Sequence, residues 1–99
     1  MIDSITNNFD NLKKYKHIHM IGIGGISMSG IAEILRNFGI FVTGSDCTRS
    51  RITDRLSSKG IFVTIGHQTD LVKKADLVVY SAAVKQDDPE LTVARLNNI

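Results

Sequence analysis

The chain has 99 residues, 42% of them hydrophobic and 22% charged, with a formal net charge of +2. That is the length of one small domain with a modest core, and the charge is too mild to point to a nucleic-acid or membrane-surface partner. The single cysteine, Cys47, excludes an internal disulfide, and the most apolar segment, 18–35, carries four glycines and Glu33, which argues against a membrane span.

Residues 1–16, "MIDSITNNFDNLKKYK", are polar and lack the apolar centre of a secretion signal. They read as a lead-in to a domain at 17–99, in a chain expected to be cytoplasmic. "HIHMIG" (17–22) then has the short apolar character of a strand. Met28, Ile31, Ala32, Leu35 and Phe38 follow the i, i+3, i+4 spacing of a helix, which Gly39 is placed to stop. "IFVTGS" (40–45) is a second strand. Ile52 and Leu56 mark a second helix, ended by Gly60. "IFVTIG" (61–66) is a third strand, 69–74 a brief helix, and "LVVYS" (77–81) a fourth strand. A last helix begins at "DDPEL", with Asp88 as its N-cap and Pro89 at its first position. All four strands have the nearly continuous apolar character of strands buried on both faces.

Strands alternating with helices imply right-handed crossovers and a parallel sheet. The expected fold class is α/β, a Rossmann-like doubly wound parallel sheet of about four strands with helices on both faces. Such sheets usually have more strands, and "ARLNNI" ends on a helix, so the sequence reads as truncated.

In such sheets the first strand-to-helix turn binds ligands. Gly22 and Gly24 match the first two glycines of G-x-G-x-x-G, and Ser27 stands at the third. Gly22 permits the tight turn and Gly24 a close approach of a diphosphate. Amides near 24–28 and the helix dipole would hold its charge. The bend has no lysine, so it is not a P-loop. Asp46 closes the second strand, where an acid commonly meets a ribose hydroxyl. His67 and Ser81 follow the third and fourth strands and face the same crevice. His17 and His19 share one side of the first strand, but two histidines make a poor metal site and packing is the plainer role. No metal ligand set and no catalytic residue is expected. Cys47 is read as a bystander, "RSR" (49–51) as a solvated helix start, and the side chain of Met28 as core.

The ordered set "HMIGIGGISMSGIAEIL", "GSD", "SRITDRLSSKGI", "GHQ" and "YSAAVKQDDPEL" resembles the N-terminal domain of the Mur ligases of peptidoglycan synthesis, of the type that joins L-alanine to UDP-N-acetylmuramate. The resemblance implies that Gly22, Gly24, Gly25, Ile26, Ser27 and Met28 hold the diphosphate of UDP-N-acetylmuramate. It places Asp46 and His67 toward the uridine, with Ser81 and Ala82 bordering the nucleotide. It also implies ATP and Mg2+ for the full-length enzyme, bound with L-alanine by domains this chain does not match. The chain alone would then bind the UDP-sugar without catalysis. The family usually has glycine at Ser27 and asparagine at Asp88. A related ligase that reattaches murein tripeptide, and an NAD-binding regulatory module, are the alternatives. The segment "CTRSRITDRL" favours the L-alanine ligase, and Ser27 with the double glycine Gly24-Gly25 fits NAD less well.

Overall fold

The structure is a computed structural model that describes residues 11–99. Strands β1 (His17–Ile21), β2 (Phe41–Asp46), β3 (Phe62–Ile65) and β4 (Leu77–Tyr80) alternate with helices α1 (Ile26–Asn37), α2 (Arg51–Ser58), α3 (Thr69–Lys74) and α4 (Pro89–Leu96). Every strand pair is parallel, and the order across the sheet is β3-β2-β1-β4. Gly39 and Gly60 follow α1 and α2 with left-handed backbone, as the expected stops. Asp88 caps α4, its Oδ1 accepting from the N–H groups of Glu90 (2.9 Å) and Leu91 (3.1 Å). Part of the expected lead-in, residues 1–10, lies outside the described residues. Leu12 and Tyr15 pack against the core. No helix among the described residues is long and apolar enough to cross a membrane.

Strand alternation divides β1 and β2 between two faces. Ile18, Met20 and Val42 join Met28, Ala32 and Leu35 of α1 and Leu56 of α2 in the main core. The other face carries His17, His19, Thr43 and Ser45, all buried despite their polarity. The register sets His19 beside Thr43 and Ile21 beside Ser45. Glu90 of α4 meets this polar face from above, hydrogen-bonding to His19 and Ser45.

Two expectations fail for clear reasons. β3 and β4 are only half-buried, because each is an edge of a four-stranded sheet. Among the described residues only β1 and β2 have a strand on either side. Phe38, expected on the core stripe of α1, is 40% exposed. It caps the helix C-terminus, past the last buried turn, where Lys13 Nζ lies 4.4 Å from its ring centre.

Candidate functional site

After β1 the chain lays β2 and then β3 to one side, and places β4 on the other. The carboxyl ends of the strands part at that reversal, which is where open α/β sheets take ligands. A cleft of about 590 Å³ opens there. Gly22 and Gly25 line it after β1, and Ser45, Asp46 and Cys47 at the end of β2. Gly66 and His67 contribute after β3, Ser81, Ala83 and Val84 after β4, and Asp88 and Pro89 at the head of α4.

The glycine bend is built by main-chain bonds. Gly22 has φ +77°, a conformation that L side chains rarely adopt. The N–H groups of Gly22 and Ile23 both donate to the Ser45 carbonyl, at 2.8 and 3.0 Å. Gly25 N–H donates to the Gly22 carbonyl at 3.2 Å. Gly24 N–H donates to Asp46 Oδ2 at 2.8 Å. The amides of 22–25 are therefore engaged inside the protein. Ser29 N–H begins the helical ladder on the Gly25 carbonyl. Between them stand the amides of Ile26, Ser27 and Met28, which have no intrahelical acceptor. The N-cap, Gly25, has no side chain to cap them, and the first turn holds no acid. Three amides at a helix start make a seat for an anion. The sequence places these donors near 24–28; internal acceptors for Gly24 and Gly25 narrow them to 26–28.

The bend also lies close on β2. A Cβ on Gly44 would come within 2.7 Å of Ile23 Cβ and 2.8 Å of the Met20 carbonyl oxygen. Sequence reasoning passed over this glycine, since nothing in "VTGSD" tells which neighbour presses on it.

Asp46 is at the expected strand end but braces the bend, with Oδ2 on Gly24 and Oδ1 3.3 Å from Thr48 N–H. Ile26 is 84% exposed, and Ser27 is exposed beside it. The Met28 side chain is in the core, so only its amide faces the bend. Ala82 is exposed, and its neighbours Ser81 and Ala83 line the cleft instead. Cys47 is exposed on the cleft wall.

A buried polar chain runs beneath the cleft. Thr43 Oγ1 lies 2.8 Å from both His17 Nε2 and His19 Nδ1, so one hydroxyl links the two rings. His19 Nε2 donates to Glu90 Oε2 at 2.6 Å. Glu90 Oε1 accepts from the Ser45 hydroxyl, and lies 3.3 Å from His67 Nδ1. Burial alone would push the Glu90 carboxyl up. The hydrogen bonds from His19 and Ser45, with the attraction of His19, outweigh it and hold the group below the ordinary carboxylate range. Burial lowers His17 in turn. Sequence reasoning missed Glu90 because an acid in "DDPEL" reads as a solvated partner of the helix dipole. The available signal was the run of polar residues in β1 and β2, which needed a buried counterpart.

His67, Asp88 and Glu90 bring possible ligand atoms within 4.8 Å of one another, the arrangement among the described residues that could hold a metal ion. Glu90 already accepts at both oxygens and Asp88 Oδ1 caps α4, so the group is bonded internally.

Comparison with known proteins agrees with this fold. A family profile described as "Mur ligase family, catalytic domain" matches residues 17–99. A UDP-N-acetylmuramate–L-alanine ligase from Acetivibrio thermocellus is 60% identical over 82 residues, covering 83% of this chain and 18% of the relative. The crystal structure of a UDP-N-acetylmuramate-alanine ligase from Thermotoga maritima superposes with a TM-score of 0.80 at 36% identity, over 86% of this chain and 20% of that one. A murein peptide ligase from Psychrobacter arcticus superposes with a TM-score of 0.77 at 28% identity, over 85% of this chain and 18% of that one. The chain thus spans about a fifth of the relatives it matches. On the match of its residues 17–99, the chain belongs to the Mur ligase family.

Proposed function

We propose that this chain binds UDP-N-acetylmuramate for a ligase that adds L-alanine to that nucleotide sugar. The observation that carries the reading is the uncapped start of α1: its N-cap Gly25 lines the cleft at the sheet's switch point, and the amides of Ile26, Ser27 and Met28 follow it. The diphosphate sits on those amides. Gly22 and Gly25 let it approach the backbone, with Asp46 and His67 on the uridine side and Ser81 and Ala82 at the border. The contribution to catalysis is positional: fixing the nucleotide end brings the distant carboxylate of the sugar's lactyl arm to the reacting groups. The glycine bend does not fit ATP and Mg2+, because it carries no lysine and the acid beside it, Asp46, is engaged by Gly24. Those groups and L-alanine belong to other parts of the ligase, and this chain alone binds without catalysing. The likeness to a murein peptide ligase supports a second reading, in which the acceptor sugar is the same and the added group is a peptide. The higher identity to the L-alanine enzyme favours the first.

Calorimetric titration tests the reading. UDP-N-acetylmuramate and UDP should bind, and the sugar should slow alkylation of Cys47, which is exposed and lines the cleft. Binding of NADH in preference to UDP would overturn it. An unchanged alkylation rate at saturation would place the ligand elsewhere.

A further inference from the structure

Glu90 is fully buried and does not line the cleft, although the segment "YSAAVKQDDPEL" that borders the cleft includes this residue. Its carboxylate collects donors from three places: His19 on β1, Ser45 on β2, and His67 in the loop after β3. The first two hold the carboxylate still. The third is different, because the His67 side chain is 51% exposed and lines the cleft. A carboxylate only accepts, so the ring nitrogen facing it, Nδ1, must carry a proton. In the neutral ring the other nitrogen, Nε2, is then a bare acceptor, and no group among the described residues bonds it.

We propose that Glu90 is a positioning residue for the ligand of this cleft. It fixes His67 as the Nδ1–H tautomer, so that Nε2 accepts a hydrogen bond from an N–H or O–H donor of the nucleoside or sugar. The proposal rests on the reading of the cleft as a nucleotide-sugar seat. Glu90 touches no ligand itself and acts through His67. The core pair His19–Glu90 thereby determines which hydrogen-bonding face the cleft shows, although both residues lie out of its reach.

The substitution Glu90→Gln separates this role from plain support. An amide accepts at one atom and donates at the other. It cannot accept from His19 on one side and from Ser45 and His67 on the other as a carboxylate does, so at least one of these groups must change its protonated nitrogen or lose its bond. Nitrogen-15 NMR of the 99-residue chain at neutral pH should show His67 protonated at Nδ1 with bare Nε2, and E90Q should shift that balance. Affinity for UDP-N-acetylmuramate should fall about five- to tenfold in E90Q, the scale of one hydrogen bond. His67→Ala should lose the same factor, and E90Q/H67A no more than either alone. Three results would overturn the proposal: the opposite tautomer in the wild-type chain, an H67A variant of undiminished affinity, or an equal further loss from E90Q when His67 is already gone. If E90Q does not fold, the wild-type tautomer and H67A decide alone, since His67 is half-exposed. The tautomer is read without ligand. A wild-type chain that fails to bind the UDP-sugar thus sinks the nucleotide-sugar reading, whereas binding with the wrong tautomer sinks only the role given to Glu90.

Discussion

At the scale of single residues, the polar face of the sheet ties stability to pH. Glu90 is held ionised by its donors against the cost of burial, and its folded pKa lies below the ordinary value. His17 is lowered by burial, so its neutral form is favoured in the fold. Asp76 is lowered too, its Oδ2 accepting from the backbone N–H groups of His17 (2.9 Å) and Lys16 (2.8 Å) at the entry to β1. All three are depressed in the folded state, so each contributes stability above its unfolded pKa and loses it as pH falls through the folded one. His17 acts first, below about pH 6.5, and the carboxyls follow, Glu90 below about pH 4.3 and Asp76 below about pH 3.9. Denaturant midpoints measured from about pH 8 down to about pH 2 should therefore decline in two stages. A midpoint that stays level across that range would show that these groups titrate alike in the folded and unfolded chain.

At the scale of elements, the contact between the glycine bend and β2 is the tightest constraint on the site. Gly44 leaves room for Ile23 to lie across the strand, and that contact sets the height of the bend above the sheet. The substitution Gly44→Ala puts a methyl group against backbone as well as side chain, so relief requires β1 and the bend to shift. It should destabilise the chain by about 1–3 kcal/mol, as overpacking does, and the urea midpoint would report it. A neutral effect would mean that the bend gives way freely. Most elements were legible in the sequence because their signals are local. The stripe Met28, Ala32, Leu35, the cap Asp88 with Pro89, and the stops Gly39 and Gly60 all speak for themselves. The edge positions of β3 and β4 were not, since "IFVTIG" and "LVVYS" are as apolar as the central strands. Which strand has two neighbours is a property of the assembled sheet. The glycine bend was legible, but not which of its amides lack an internal acceptor, because that depends on Asp46 reaching back to Gly24. The burial of Glu90 was hidden for the same reason: its partners lie 71 and 45 residues away along the chain.

At the scale of the whole molecule, the proposed ligand would couple to the stability of the entire domain. The bend, the ends of all four strands and the head of α4 meet at one cleft. A ligand there binds the folded chain alone. At about one hundred times its dissociation constant it should add about 2.7 kcal/mol. For a chain of this size the melting temperature should rise by about 10 °C or more, as scanning calorimetry would show. No rise with UDP-N-acetylmuramate at that excess would count against the seat. The order β3-β2-β1-β4 carries a further consequence. The strands that bear the bend and its brace are interior, and among the described residues both outer margins keep a row of unmatched peptide groups. Additional strands can therefore zip on at either flank and widen the platform while the central geometry stays put. A pocket designed around the middle of a sheet tolerates growth at its borders, and the same cradle can serve architectures of very different breadth.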